Sequence, residues 1–418
     1  MEEAKNEVKK TEFDYEHFDF ESCFKEVRSG IKKPNILVCG ATGVGKSSLV
    51  NDLLNLSVNN KAEVGDDGRP RTRGVELYTS EDSSINLYDS EGYEVGTIRQ
   101  EYYRKEILGF IDEKIKEDPT HLEARIHEVW YCVSAGNKRF FDVDRDLIRE
   151  IMDRSVPVMV LITKVDEVEE EELDGLKREI KRNFPKISIF TYSTTIPDDE
   201  DYKDVYKEYV QVDKITEWAI DNLDESLLSG FLPAVKRGIS DKRKYIMKKV
   251  VPMYAGTAGA LVVGTSFVNV PFTDSAVLMP LQLKMAFSII STYGIKADAG
   301  KVIGDVLSTS LVSYLGRTLA TQIIGIIPFI GNVAKSTVNV IVATMVTAVL
   351  GAAISIVCEQ YLKTCVDKAG GQKMGFMEFF TADRLKDALK YVKGHGEEFK
   401  IDDIVKEVVK EKINAATK

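Results

Sequence analysis

What this sequence has little of narrows its class before any motif is read. Its five cysteines, Cys23, Cys39, Cys132, Cys358 and Cys365, are scattered over 418 residues without a CxxC pair. A disulfide framework is therefore excluded, and reduced thiols are expected. The four histidines are equally dispersed and show no metal-ligand spacing. No apolar core follows the charged opening MEEAKNEVKKTEFDYEHF, as a secretory leader would require, so a cytoplasmic location is the expectation. Nor is there an excess of positive charge. Lys and Arg number 56 against 66 Asp and Glu, a net charge of −10, and no nucleic-acid partner is expected of such a surface. What is there is a chain of ordinary globular make-up, 44% hydrophobic and 29% charged. At roughly 100–200 residues per domain it is long enough for two or three folding units.

Composition divides the chain into five segments. Residues 1–33 are charged, with Phe13, Phe18, Phe20 and Phe24 spaced as in a short N-terminal helix. Over 34–201, β-branched runs (NILVCG, VELYTS, INLYDS, VWYCVSA, VPVMVLITK, ISIFTYS) alternate with charged helical stretches. That alternation predicts an α/β unit with a mainly parallel sheet, and the short EDS link predicts a local antiparallel hairpin between VELYTS and INLYDS. Residues 202–249 read as linker helices ending in a basic cluster. Residues 250–376 read as an all-α hydrophobic helical domain, and 377–418 as amphipathic helices.

One run carries the chemistry. Gly40 to Ser47, GATGVGKS, follows the strand ILVC and opens the helix SSLVNDLLN. It matches GxxxxGK[ST], in which glycines let backbone N–H groups curl around phosphates, the lysine neutralises the β/γ oxygens, and the serine hydroxyl ligates Mg²⁺. Downstream, Asp89-Ser-Glu-Gly92 ends the strand INLY and matches DxxG. It would bring a carboxylate toward Mg²⁺ through water and the Gly92 N–H against the γ-phosphate. Thr163-Lys-Val-Asp166 ends the strand VMVLI and matches [NT]KxD. Asp166 can accept bonds from N1–H and the 2-amino group of guanine, and adenine offers neither donor. Lys164 can lie along the base, and Ser193 in TYSTT can offer its N–H to the guanine oxygen. The expected binding set for GTP or GDP is thus Gly40, Gly43, Val44, Gly45, Lys46, Ser47 and Ser48, with Asp89, Thr163, Lys164, Asp166, Ser193 and Thr194. All of these stretches fall at strand C-terminal ends, where a doubly wound sheet binds ligands.

With these motifs, Lys33 to Asp201 resembles the Era-like branch of the translation-factor GTPases. The stretches GRPRTRG, LYDSEGYE, VWYCVSA, LITKVD and PFTDSAVLMPLQLKMAFSIISTYGI extend the likeness to bacterial Era-like GTPases with a hydrophobic helical domain of the YcjF-like type. In layout the chain is more distantly similar to interferon-inducible, dynamin-related GTPases. The resemblance implies a P-loop GTPase with GTP/GDP and Mg²⁺ as cofactors and a switch threonine, matched by Thr72 and less well by Thr79. Lys46, Thr72 and Gly92 are then the catalytic groups, and Ser47, Thr72 and Asp89 the metal-binding ones. Two departures matter. Tyr93 stands where Ras-like members place a water-orienting glutamine, so slow hydrolysis is expected. Gly43 stands where potassium-activated relatives carry asparagine, so potassium activation is not. Arg69, Arg71 and Arg73 read as a solvated basic loop, or as helpers of hydrolysis in cis or across a homodimer.

Between Val250 and Lys363 lie only ten charged residues, about a third of what the chain average predicts. The uncharged runs Val250–Thr273 and Ser336–Cys358 reach the roughly 20 residues of a membrane helix. VNVPFTDSAV and GIIPFIGNVAK look like turns of two helical hairpins. Upstream, Lys236, Arg237, Lys242, Arg243, Lys244, Lys248 and Lys249 face one acid, Asp241, a pattern suited to anionic lipid headgroups. Gly256, Ala260 and Gly264 repeat at the four-residue spacing of close helix packing. Membrane attachment, inserted or peripheral, and a soluble helical bundle stand as equal readings. Function follows the same division: a slow GTP-hydrolysing switch coupled to a membrane-associated helical domain, a non-hydrolysing GTP-binding interaction module, or a self-assembling dynamin-related GTPase. An RNA-binding role would need a basic domain after the core, and the segment is too apolar for one.

Overall fold

The computed structural model of the chain describes residue 14 and residues 17–54, 74–78, 84–94, 99–117, 122–193, 209–236, 238–262, 275–295, 303, 306–307, 335–367 and 375–416. It divides into two compact units, Ile31–Gly238 on the one hand and Met1–Gly30 with Ile239–Lys418 on the other.

The first unit is built on a six-stranded sheet of order β2-β3-β1-β4-β5-β6. Its strands are β1 (Asn35–Gly40), β2 (Val75–Tyr78), β3 (Asn86–Ser90), β4 (Glu128–Ser134), β5 (Val158–Thr163) and β6 (Ser188–Thr191). All pair in parallel except β2, which runs antiparallel to β3 at the edge, as the short link between them predicted. β1, β4 and β5 are buried at every position. This is why they read as continuous apolar runs: both faces of a central parallel strand are covered by helices. The edge strand β2 keeps its two central residues exposed.

Five helices alternate with the strands or precede them: α1 (Phe20–Ser29, in the second unit), α2 (Lys46–Leu53), α3 (Arg99–Glu117), α4 (Asp142–Asp153) and α5 (Glu170–Asn183). α3 and α4 are joined by Arg154, whose Nε and Nη2 donate to the two Asp112 oxygens at 2.7 and 2.8 Å. The sheet's core does not close at residue 201. α6 (Val212–Asn222) and α7 (Leu228–Ala234) bury Ile215, Ala219 and Phe231 in it, and Val235 forms a bridge with Leu54. The structure thus divides the expected linker segment: its first helices complete the sheet unit, and its basic end belongs to the other.

In the second unit, α8 (Ile239–Tyr245) runs through a π-helical turn, Ile246–Val250, into α9 (Val251–Leu261). α10 (Ser275–Thr292), α11 (Lys335–Asp367), α12 (Phe376–Phe379), α13 (Ala382–Gly394) and α14 (Ile401–Ala416) follow. α11, with 33 residues and about 50 Å at 1.5 Å per residue, is the axis of the unit, packed by α9, α10, α13 and α14. Approach is closest where side chains vanish. A Cβ on Gly259 would meet Thr344 Oγ1 at 2.6 Å, and one on Gly351 would meet Val251 Cγ2 at 2.7 Å. Small residues therefore serve helix packing within protein here, and a Cβ on Gly256 would lie 3.6 Å from Val408 Cγ2. α1 docks in the same unit through an edge-to-face pair of Phe24 with Phe287 and an ion pair of Glu26 with Lys284 at 2.7 Å. Of the turn stretches expected at 268–277 and 325–335, residues 275–277 and 335 open α10 and α11; the rest, and Gly264, lie outside the described residues.

Candidate nucleotide site

The loop between β1 and α2 is shaped by its glycines. Gly40 has φ 137°, and a Cβ there would come within 2.2 Å of the Cys132 carbonyl oxygen on β4. Gly43 and Gly45 have φ 74° and 93°, left-handed conformations that side chains with a Cβ resist. The loop so formed ends as the N-terminus of α2, where Lys46 is the first helical residue. Val44 is buried and Ser48 half-buried on the same turn. Lys46 is itself buried, and its Nζ donates to the carbonyls of Gly40 and Ala41 at 3.1 and 3.0 Å. Burial lowers its pKa, with the Asp89 carboxylate opposing that shift.

β3 brings Asp89 to this lysine's helix: Ser47 Oγ donates to Asp89 Oδ2 at 3.2 Å. These two hard oxygen donors suit Mg²⁺, which takes one or two protein oxygens and completes its shell with water and phosphate. Among the described residues, no cluster of three or more His, Cys, Asp or Glu could hold a metal unaided. Just past β3, Gly92 has φ 84°, and a Cβ on it would lie 2.8 Å from Lys46 Nζ and 2.9 Å from Thr42 N. The Asp89–Gly92 stretch and the Gly40–Ser47 loop are therefore in direct contact. Thr72, Thr79, Thr194, Arg69, Arg71 and Arg73 lie outside the described residues.

At the end of β5, Thr163 does something the motif alone did not indicate. Its hydroxyl donates to the Val44 carbonyl in the loop and to the Val133 carbonyl at 3.3 Å, so it braces the loop from beneath. Lys164 follows with φ 55° and pairs with Glu167 at 3.5 Å. Asp166 is reached by Ser193 Oγ, which donates to its Oδ1. The structure thus gives Ser193 a side-chain role in holding the Asp166 carboxylate.

Sequence reasoning missed a second layer. Tyr103 on α3 donates or accepts with Ser90 Oγ at 2.9 Å and accepts from Gly40 N at 3.0 Å. Tyr93 turns inward, its hydroxyl on Asp144 Oδ1, which also accepts from Tyr131 OH at 2.7 Å. These partners are far apart in sequence, and no local spacing announces them.

Comparison with known proteins agrees with this geometry. Residues 30–222 match the septin family model. Septin-8-A of Danio rerio is 28% identical over 187 residues, covering 40% of this chain and 42% of the septin. Septation protein 7 of Candida albicans is 22% identical over 284 residues, covering 54% and 42%. The probable GTP-binding protein EngB of Wolbachia pipientis wMel is 25% identical over 168 residues, covering 39% and 79%. The chain thus spans 42% of the length of these septins. A crystal structure of Aquifex aeolicus Era bound to GDP.AlF4- is similar at a TM-score of 0.32 and 16% identity, over 53% of this chain and 68% of that one. The family match ends at residue 222, ahead of the apolar segment, so a YcjF-like reading of that segment rests on its residues alone.

Proposed function

We propose that the septin-type P-loop GTPase domain of residues 30–222 makes this protein a guanine-nucleotide switch that hydrolyses GTP slowly with Mg²⁺. Its helical unit would read out the nucleotide state at an anionic membrane surface. The observation that carries the first part is the convergence of three strand ends: the Gly40–Ser47 loop, Asp89 with Gly92, and Thr163 to Asp166 with Ser193 meet along one edge of the sheet. Phosphate, metal and base-reading groups are thereby arranged in the order a nucleoside triphosphate presents them. Slow chemistry is supported by Tyr93, whose hydroxyl is engaged with Asp144 in the interior and so offers no group to orient water.

The membrane reading is supported by a stripe along α8 and α9. Lys244, Lys248, Lys249, Met253, Thr257 and Leu261 are exposed along it, Met253 by 58% and Leu261 by 44%. Basic residues leading into exposed apolar ones suit a headgroup layer with shallow insertion. Peripheral attachment is favoured over a spanning helix. The one described helix long and apolar enough to cross a membrane, Val340–Thr364, has 94% of its most apolar window buried in the unit. A protein-enclosed helix has no apolar face left for lipid. The buried Tyr93 also favours a second reading, a GTP-binding module that does not turn over.

Asp166→Asn tests the base assignment. It should exchange preference from guanine to xanthine nucleotides in equilibrium binding, because the amide offers a donor to the xanthine 2-oxo group. Unchanged GTP affinity in the variant, or equal ATP and GTP affinity in the parent, would remove the guanine reading. Phosphate release under saturating GTP separates the switch from the silent module.

A further inference from the structure

The segment after β3 is held at three successive residues. Glu91 N donates to the Gly74 carbonyl at 2.7 Å while its carboxylate accepts from Gly74 N at 3.1 Å. Gly92 packs directly on Lys46 Nζ and on the phosphate loop. Tyr93 accepts the Thr42 N–H on its carbonyl at 2.9 Å, and its ring is buried, tilted against Tyr103 at 5.3 Å. The ring's hydroxyl ends on Asp144, a buried carboxyl near the start of α4 that also accepts from Tyr131 OH and from Phe141 N at 3.2 Å. Tyr93 is therefore bonded at both ends, backbone to the loop and side chain to a helix. Gly92, which alone would be free to rotate at φ 84°, is fixed between two anchored neighbours.

We propose that Tyr93 is a positioning residue for triphosphate recognition. Anchored on Asp144 and Thr42, it holds Gly92 against Lys46 and so presets the point at which a third phosphate is distinguished from a second. The inference rests on the guanine-nucleotide reading of the site. A preset N–H avoids the ordering cost that a mobile switch segment meets on binding triphosphate. Tyr131 shares the same carboxylate and neighbours the Tyr93 hydroxyl, but it stands on β4, outside the segment that carries Gly92, and provides the control.

The test is calorimetric binding of GDP and of a non-hydrolysable GTP analogue, with Mg²⁺, to the full-length parent, Tyr93→Phe and Tyr131→Phe. Each variant deletes one hydroxyl bond to Asp144 and should lower thermal stability. Only Tyr93→Phe should lower the analogue-to-GDP affinity ratio, by roughly three- to tenfold, the scale of one ordinary net hydrogen bond. Should Tyr93→Phe fail to fold, Asp144→Asn weakens the same anchor while keeping both tyrosines, and the ratio should again fall. An unchanged ratio in Tyr93→Phe, or an equal fall in Tyr131→Phe, overturns the positioning role and leaves the nucleotide site standing. A parent that binds neither nucleotide overturns the site and the inference together.

Discussion

Glu128, the first residue of β4, lies opposite Ile36 on β1 and is fully buried. Its Oε2 accepts the Trp130 Nε1–H at 3.0 Å, and no hydrogen bond reaches Oε1 among the described residues. Burial pushes its pKa well above the ordinary carboxylate range, offset only in part by Trp130. The folded state thus keeps a proton that the unfolded chain releases near the ordinary glutamate value of 4.5. Stability must fall as pH rises from that point toward the raised folded value. Glu128→Gln should remove this part of the slope. We expect the melting temperatures of parent and variant to agree near pH 4 and the variant to melt higher at pH 7, in scans across that range. A variant that melts lower at pH 7 would show that Glu128 is ionised and paired in the fold. At this scale the sequence was readable where one motif holds the partners, as for Lys46 on the carbonyls of Gly40 and Ala41. It was silent where partners are distant. Tyr93 and Asp144 are 51 positions apart, and their bond depends on how the sheet folds.

Among the elements, the helix running from α8 into α9 has the least expected content. The seven basic residues read as one cluster before Val250 do different things. Lys236 Nζ donates to the Asn51 carbonyl at 2.6 Å, in the sheet unit. Arg243 pairs with Glu359 and Glu398, and Lys242 is buried with its Nζ on the Tyr293 carbonyl at 3.2 Å, at the end of α10. A cation there meets the partial negative charge of a helix C-terminus. Burial nevertheless lowers its pKa from 10.5 to about 7. Between those values the unfolded chain holds more protons than the fold, so stability rises with pH through that window, whereas below it the full cost of a buried ammonium applies. Lys242→Met should abolish that rise, which in the parent reaches up to about 1.4 kcal/mol per pH unit. Denaturant titrations of both proteins from pH 7 to 9 check this, and parallel curves would refute it. Composition could identify the basic residues but not their burial. Burial is decided by which helices pack together, and Lys242 is the one that meets the end of α10. The strands were legible because central parallel strands need unbroken apolar runs. The helical unit was legible in class alone, since its long uncharged runs suit a lipid-facing and a protein-facing helix equally.

For the whole molecule, the expectation is peripheral recruitment. Purified full-length protein should float with anionic vesicles and be released by high salt, as the screening length falls from about 10 Å at 0.1 M to 3 Å at 1 M. Lys244→Glu with Lys249→Glu should weaken flotation, each surface lysine contributing about 1 kcal/mol. Retention in high salt with release only by detergent would instead indicate insertion, and indifference to vesicles in either nucleotide state would leave the stripe to a protein partner. The order of the two units along the chain has a further effect, on synthesis. α1 belongs with α10, from which it is separated by the whole sheet unit, Ile31–Gly238. Growing chains fold domain by domain from the N-terminus, so the nucleotide unit can close on the ribosome while α1 still lacks Phe287 and Lys284. During that interval Cys23 and Phe24 have no core to enter, and a chaperone or a neighbouring nascent chain would meet them first.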